Sequence, residues 1–144
     1  MNHPTDRPLL VEMPIKIKGY EIDVINIVSN IVYVKWFEDL RHLFLDTYYP
    51  FEEMIKEEGI SPVLRKTQVN YMHHLNIYDQ PTGRVWVSAL KGVRWECSFE
   101  IVTAEKIHCT GVQGGFFIHI AKQRPVAVPK RLQEAYAAAI HSYD

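Results

Sequence analysis

The stretch DVINIVSNIVYVKW, residues 23–36, decides the fold of this 144-residue chain. It begins with one carboxylate, Asp23, and continues through mostly apolar residues with an Asn–x–x–Tyr–x–x–Trp spacing. From Asn30 to Thr47 the apolar residues recur at three- and four-residue steps, which predicts one face of a helix. Other apolar residues fall on its remaining faces, so we expect a helix buried nearly all round. The short polar side chain of Ser29 or Asn30 is suited to cap its first turn.

Predicted strands and two shorter helices flank this long helix. Residues 8–22 are predicted to form a first strand. Residues 51–58, FEEMIKEE, are predicted to form a short exposed helix that stops at Gly59. The pattern from 61 to 128 is typical of strands and turns, and Pro129 opens a C-terminal segment rich in good helix formers.

The clearest strand signal is the alternation between residues 93 and 101, where apolar residues share one face and polar residues share the other. A turn at 103–105 leads into a long strand at 106–120, in which three glycines predict a bend or bulge, namely Gly111, Gly114 and Gly115. A single curved antiparallel sheet can cover an apolar helix on most sides. The predicted fold class is therefore α+β, one domain over residues 1–144 with a long central helix wrapped by that sheet.

Composition and charge exclude several classes of function. The formal net charge is −1, which gives no general attraction to nucleic acid or acidic lipid. No apolar run is long enough to span a bilayer, and the N-terminus lacks the apolar core of a secretory signal. Cys97 and Cys109 fall in predicted strands and, like the seven histidines, lack the spacing of metal ligands. We therefore expect packed reduced thiols, no bound metal and a cytoplasmic location.

The segment DVINIVSNIVYVKWFEDLR, residues 23–41, resembles the opening motif of hotdog-fold acyl thioesterases of the 4-hydroxybenzoyl-CoA thioesterase type. That motif has roughly the pattern D-x-x-G-x-V-x-x-x-x-Y-x-x-W/F-x-E-x-x-R. Six residues fall in register with it: Asp23, Val28, Tyr33, Trp36, Glu38 and Arg41. Later segments resemble the family's further strands in order, so the resemblance covers residues 10–132. The usual glycine after the aspartate is Asn26 here, which leaves the acyl group undetermined.

The resemblance implies thioester hydrolysis, which needs an activated water or nucleophile and a group that stabilises negative charge on the carbonyl oxygen. By resemblance, Asp23 is the nucleophile or the general base, and the backbone N–H at Asn30 binds the thioester oxygen. The N–H groups of a first helical turn suit that role because they have no intrahelical acceptor and lie at the positive end of the helix dipole. From the residue pattern alone, the favoured interpretation of Asp23 is an ordinary turn or capping carboxylate, and only the resemblance favours the catalytic role.

Further residues near the helix start are candidates either for substrate binding or for structure. Ser29 and Tyr33 are candidates for contact with the substrate, with helix capping and core packing as their alternatives. No GxSxG sequence surrounds Ser29, so we do not expect it to be a nucleophile. Glu38 is expected to form an ion pair with Arg41 or His42 rather than to act in catalysis.

The expected substrate carrier is CoA or a phosphopantetheine arm, which forms part of the substrate and is not a separate cofactor. Its phosphates need positive charge near the pocket, and the candidates are Arg84, Lys91 and Arg94, with a solvated sheet face as their alternative role. The resemblance also implies a homodimer or a dimer of dimers, since an exposed sheet edge is otherwise a liability. An acyl carrier protein is a further candidate partner.

Two other functions are compatible with the same fold. A dehydratase acting on 3-hydroxyacyl thioesters would use a His–acid pair, but the motif position where that histidine would lie is Ile27. A non-catalytic acyl-thioester-binding domain would keep the pocket without needing a carboxylate in it. A fold alone does not decide among these functions.

Overall fold

The computed structural model describes residues 7–104 and 106–141, which form one antiparallel sheet curled around a central helix. The described helices are α1 (Asn30–Tyr48), α2 (Phe51–Glu58) and α3 (Lys130–His141). The described strands are β1 (Val11–Pro14), β2 (Ile60–Tyr71), β3 (Thr82–Lys91), β4 (Arg94–Val102), β5 (Ile107–His119) and β6 (Arg124–Val126). Their order is β1-β3-β4-β5-β2, with β6 beside β5, and every pair is antiparallel. This is the predicted hotdog arrangement.

Helix α1 begins at Asn30 as predicted and ends at Tyr48, one residue beyond the predicted end. Ser29 is the N-cap residue, but its side chain makes no capping hydrogen bond within the described residues. The Ser29 carbonyl accepts a bond from the N–H of Val32 at 3.0 Å instead. The position of the cap is therefore confirmed, whereas the expected side-chain bond is not formed.

One face of α1 is buried in the core and the opposite face is open. The buried side chains of α1 are Val32, Tyr33, Trp36, Phe37, Leu40, Phe44 and Leu45. The exposed side chains lie at helical spacing along the opposite face, namely Ile31, Lys35, Asp39, His42 and Asp46. The prediction of a helix buried nearly all round is therefore wrong for the single chain, because one curved layer cannot close around a helix.

The first strand is shorter than the predicted 8–22. Strand β1 covers Val11–Pro14 and stops because its partner β3 begins at Thr82, the residue opposite Pro14. The chain then continues without strand pairing to a 3₁₀ turn at Gly19–Glu21, where the Glu21 carboxylate accepts a bond from the N–H of Lys18 at 2.8 Å. The apolar periodicity that predicted a longer strand comes from side chains that are buried in the core, although their residues do not belong to the sheet.

The bulge predicted near the glycines of β5 lies in the neighbouring strand. The register of β2 against β5 shifts between Leu64 and Lys66, which leaves Arg65 as the extra residue. Gly115 lies directly against this shift, and a Cβ atom added there would lie 1.8 Å from the Val63 carbonyl oxygen. Glycine is therefore required at 115 because backbone atoms of β2 occupy the place of its side chain.

Gly115→Ala is expected to lower the free energy of unfolding by about 2 kcal/mol or more, since β2 and β5 must separate to admit the methyl group. Gly114→Ala is the matched control, because its Cβ would meet no atom closer than 3.4 Å. We expect the control to stay within about 0.5 kcal/mol of wild type. Urea unfolding of the two variants measures the difference, and equal stabilities would contradict this account of the bulge.

Both cysteines are free and buried, as predicted. Burial raises the pKa of the Cys97 thiol and of the Cys109 thiol to about 12, from an ordinary value of 9.0. Because the folded protein holds these protons more tightly than the unfolded chain, their contribution to stability is complete below about pH 9 and is lost as the pH rises towards 12. We expect the melting temperature to fall across that range.

The burial of the two thiols can also be tested by chemical labelling. Iodoacetamide needs the thiolate, so it is expected to label the native protein far more slowly than the guanidinium-unfolded chain at mildly alkaline pH. Equal labelling rates in the two states would contradict the packed position of Cys97 and Cys109 in strands β4 and β5.

Candidate active site

The start of α1 is held by hydrogen bonds from three segments of the chain. Val28 N–H donates to the Leu75 carbonyl at 2.8 Å, and Ser29 N–H donates to the Glu21 carbonyl at 3.0 Å. The Tyr71 hydroxyl donates to the Asn30 carbonyl at 2.8 Å. The backbone is therefore fixed immediately before and at the first residue of the helix.

Two backbone donors at this helix start are open. Within residues 7–104 and 106–141, the N–H groups of Asn30 and Ile31 have no hydrogen-bond acceptor. Both residues are exposed in the single chain. The open donors lie at the positive end of a 19-residue helix, where the helix dipole adds to their attraction for a negatively charged oxygen.

Asp23 lies at the base of a tight turn that immediately precedes this helix start. Ile22 and Val28 pair as an antiparallel bridge, and Asp23 N–H donates to the Ile27 carbonyl at 2.9 Å. Asp23 Oδ1 accepts bonds from the N–H of Ile25 at 3.0 Å and of Ile27 at 3.3 Å. The turn-carboxylate interpretation is thus realised in the structure.

The turn leaves half of the Asp23 carboxylate available. Its second oxygen, Oδ2, has no donor among the described residues, and the side chain is exposed. At the tip of the turn, Val24 and Ile25 are exposed, with relative accessibilities of 102% and 69%. The arrangement is therefore an ordered carboxylate with one free oxygen, beside apolar side chains that no other residue of 7–104 or 106–141 covers.

The two other residues predicted near the helix start differ in accessibility. Ser29 is partly exposed beside the open donors. Tyr33 is buried and makes edge-to-face contacts with Tyr71 at 5.4 Å and with Trp36 at 5.2 Å. Burial raises the pKa of Tyr33 to about 12, so its phenol is neutral at physiological pH. Tyr33 therefore packs beneath the surface of the site, and the ring that contacts it and is partly exposed to solvent is Tyr71.

Sequence reasoning missed His108, a buried residue that supports the segment beneath the helix start. Its Nδ1 atom lies 3.1 Å from the His74 carbonyl and 3.3 Å from the His73 carbonyl, while Nε2 lies 3.0 Å from the Thr103 hydroxyl. The His108 carbonyl also accepts the N–H of Met72 at 2.9 Å. Only the pairing of distant strand ends brings these groups together, so no local spacing signals the role.

Glu38 forms the predicted ion pair with Arg41. The pair is extended by Gln113, a fully buried residue of β5 whose Nε2 lies 3.3 Å from Glu38 Oε1 and whose Oε1 accepts Arg41 Nη1 at 3.1 Å. Gln113 was also missed, and the available signal was a polar residue at a position facing the core. The network ties α1 to the sheet and favours the structural role of Glu38.

The structure separates the three basic residues predicted to meet the carrier. Arg84 is paired with Glu12 at 3.0 Å and with Glu100 at 3.5 Å. Lys91 and Arg94 are directly opposite one another at the other end of β3 and β4. Seven residues along β3 correspond to about 23 Å, so Arg84 lies at the opposite end of the strand from the other two.

Lys91 and Arg94 are also distant from the helix start within one chain. Tyr71, which bonds to Asn30, is level with Cys109 and Ile101 across the sheet. Ile101 is seven residues from Arg94 along β4, again about 23 Å. In the sheet, Arg94 alternates with core-facing neighbours and therefore projects from the face opposite α1.

Two further findings concern metals and membranes. Among residues 7–104 and 106–141, no three His, Cys, Asp or Glu side chains are grouped so that they could hold a metal ion. In the same part of the chain, no helix has the length and apolar character needed to cross a membrane.

A family model described as the Thioesterase-like superfamily matches residues 18–136, which include the Asp23 turn, α1 and strands β2 to β6. The chain belongs to this superfamily. The predicted resemblance is thus confirmed at that level, and the 4-hydroxybenzoyl-CoA type stays a prediction. Among curated protein sequences, none matches this thioesterase-like protein.

Solved structures share the fold of this thioesterase-like protein at low sequence identity. A DHNA-CoA thioesterase from Staphylococcus aureus is 20% identical with a TM-score of 0.79, covering 89% of each chain. A 1,4-dihydroxy-2-naphthoyl-CoA thioesterase from Synechocystis is 12% identical with a TM-score of 0.79, covering 89% of this chain and 96% of its own. A hypothetical protein from Staphylococcus aureus, solved in complex with CoA, is 15% identical with a TM-score of 0.84, covering 91% and 84%. These similarities confirm the fold alone.

Proposed function

We propose that this protein is an acyl thioesterase that hydrolyses an acyl-CoA or acyl-carrier-protein thioester to a free acid and a thiol. The observation that carries the proposal is the pair of open backbone donors at Asn30 and Ile31, next to the turn that holds Asp23 with one free oxygen. Membership of the Thioesterase-like superfamily supports the same reaction.

In the proposed reaction, the thioester carbonyl oxygen accepts a bond from the Asn30 N–H, which stabilises the negative charge that develops on that oxygen. With Asp23 as general base, Oδ2 takes a proton from water as the water oxygen bonds to the carbonyl carbon. The tetrahedral intermediate then breaks its C–S bond, and the departing sulfur receives the proton. With Asp23 as nucleophile, its free oxygen bonds to the carbonyl carbon, the C–S bond breaks to release the thiolate, and water then hydrolyses the acyl–aspartyl anhydride to the free acid and the Asp23 carboxylate, releasing the proton that the thiolate takes up.

Ser29 and the ring pair of Tyr33 and Tyr71 form the proposed wall beside the reacting carbonyl. Ser29 is partly exposed at the helix start, and Tyr71 is held there by its bond to the Asn30 carbonyl. The names of two structural neighbours, both thioesterases of a hydroxylated aromatic acyl-CoA, and the CoA bound to a third support a CoA thioester as substrate. Within one chain, Lys91 and Arg94 project from the sheet face opposite α1, so they do not face the helix start at Asn30.

The proposed active form is a homodimer. Strand β2 is 12 residues long and pairs only with β5 among the described strands, so its other edge is open. A long open edge and the exposed stripe of α1 are surfaces that a second copy of the chain can cover together. Sedimentation equilibrium is expected to give twice the chain mass of 16.8 kDa or a multiple of it, and a monomer at micromolar concentration would contradict the dimer.

A thiol-release assay with aromatic, short-chain and long-chain acyl-CoA and with acyl carrier protein tests the proposed function. We expect turnover of at least one class, well above spontaneous hydrolysis. Tight binding of these thioesters without turnover would instead support a non-catalytic acyl-thioester-binding protein. The exposure of Asp23 and its bonds within the turn are the observations that favour this second candidate.

A further inference from the structure

The face of the sheet opposite α1 carries an open groove of about 600 Å³ at the end where β3 turns into β4. Its charged rim contains Arg65 and Lys66 from β2, Lys91 from β3 and Arg94 from β4. Its floor is formed by Gly114, Gly115 and Phe116 of β5. We call this feature the basic groove.

Positive charge is concentrated in the basic groove although the chain as a whole has a net charge of −1. The four cationic side chains are exposed, and none of them forms an ion pair with a carboxylate among the described residues. The one acidic residue in the lining is Glu96, whose Oε1 accepts the Ser88 hydroxyl at 2.8 Å. The groove therefore attracts anions and is not neutralised from within.

The strands hold these charges in an arrangement that costs stability. Lys91 and Arg94 are direct partners across β3 and β4, and like charges at such positions repel each other. The β2 bulge adds Arg65 to the same face, where its guanidinium lies 5.3 Å from the centre of the Phe116 ring. On a solvated face, the repulsion between opposed cations only lowers stability. On a face that binds an anionic partner, the same cations stabilise the complex.

The spacing of the cations indicates the size of that partner. Lys66 on β2 and Lys91 on β3 are separated by β5 and β4, which are adjacent strands in the sheet. Three strand spacings correspond to about 14 Å, too wide for one phosphate to contact both ends. Among the residues that the structure describes, no helix begins at the groove to supply backbone donors of the kind that bind phosphate. The distribution fits carboxylates spread over a surface.

We infer that the basic groove docks an acidic protein surface, such as a helix rich in Glu and Asp. Opposite charges spread across two surfaces speed association and fix the orientation of the partner. The inference does not rest on the proposed hydrolysis, because the groove shares no residue with the Asp23 turn or the helix start. If the folded protein proves to have no thioesterase activity, the inference about the basic groove still stands.

Two features favour an acidic protein over a nucleic acid. The aromatic ring on the groove floor, Phe116, is already covered by Arg65, so it is not free to stack on a base. The unpaired positive charge also ends at the groove, because on the next part of the same face Arg7 and Arg84 are ion-paired with Glu100 and the other lining side chains are uncharged. A strand of nucleic acid would need the positive charge to continue.

Fluorescence anisotropy with a labelled Glu-rich helical peptide tests the inference, with the same peptide carrying Gln for every Glu as the reference probe. The charge-reversed variant is Lys66→Glu with Arg94→Glu. The matched variant is Lys16→Glu with Lys56→Glu, which changes the net charge equally at exposed sites outside the groove. We expect the acidic peptide to bind wild type and the matched variant with similar affinity, and the groove variant at least about 10-fold more weakly.

Added salt is expected to weaken the peptide binding. Equal loss in both double variants would overturn the inference, because net charge and not the groove would then be responsible. Tighter binding of a single-stranded oligothymidylate than of the acidic peptide would overturn it in favour of nucleic acid. Displacement of the peptide by stoichiometric CoA would overturn it in favour of a small phosphate ligand.

Discussion

Asp23→Asn is expected to lower kcat for thioester hydrolysis by at least about 10²-fold, because it removes the group that accepts a proton or attacks the carbonyl carbon. The substitution leaves the turn in place. An Asn side chain keeps a carbonyl oxygen at Oδ1, which can accept the N–H groups of Ile25 and Ile27 as the carboxylate does. The loss therefore reports the charge and basicity of residue 23 and not the shape of the turn.

Asp46→Asn is the matched control for Asp23→Asn. Asp46 is an exposed carboxylate of α1 and is 16 residues from the helix start, about 24 Å along the axis. Its only ion pair is with His42 at 3.6 Å among the described residues. We expect its kcat to equal that of wild type. If Asp23→Asn also retains full turnover, Asp23 has no role in the chemistry and the turn-carboxylate interpretation is sufficient.

Asn30→Pro is expected to reduce kcat by about 10²- to 10³-fold, as removal of one donor to a developing oxyanion does. Proline lacks the N–H, but the first helical position is where a helix accepts proline without losing an internal bond. The residue before it, Ser29, has φ −62° and ψ 140°, the extended conformation that a following proline requires. The Asn30 carbonyl, which accepts the Tyr71 hydroxyl, is kept.

The comparison with Asn30→Ala isolates the backbone donor, since alanine removes the same side chain and retains the N–H. We expect the alanine variant to retain most of the wild-type kcat and the two variants to differ little in melting temperature. Stopped assays at saturating acyl-CoA give kcat for each. A proline variant as active as the alanine variant would show that the Asn30 N–H does not bind the thioester oxygen.

The local parts of the fold were predictable because they depend on neighbouring residues. The apolar period of α1 and the glycine that ends α2 are both visible within short segments of the sequence, and the structure confirms both. The predicted length of the first strand was wrong, because the strand ends where its partner β3 begins, at Thr82, which is 68 residues away from Pro14 in the sequence. The open side of α1 depends in the same way on how far the sheet curves.

In the candidate site, too, the residues that depend on local sequence were predicted and those that depend on distant partners were missed. The resemblance identified Asp23 and Asn30 through their spacing in one short segment, and the structure places them in one turn and the helix start that follows it. His108 and Gln113 were missed because their partners come from strands and loops remote in sequence. Arg84 was grouped with Lys91 and Arg94 by charge and by place on the predicted middle strands, and only the strand register separates them.

A crystal structure of Asp23→Asn with an unhydrolysed acyl-CoA tests the central claim most directly. The account predicts the thioester oxygen within about 3 Å of the Asn30 nitrogen, with the side chain of residue 23, from the same chain or its partner, on the opposite side of the carbonyl carbon. A thioester bound elsewhere, with the Asn30 nitrogen facing only solvent, would contradict it.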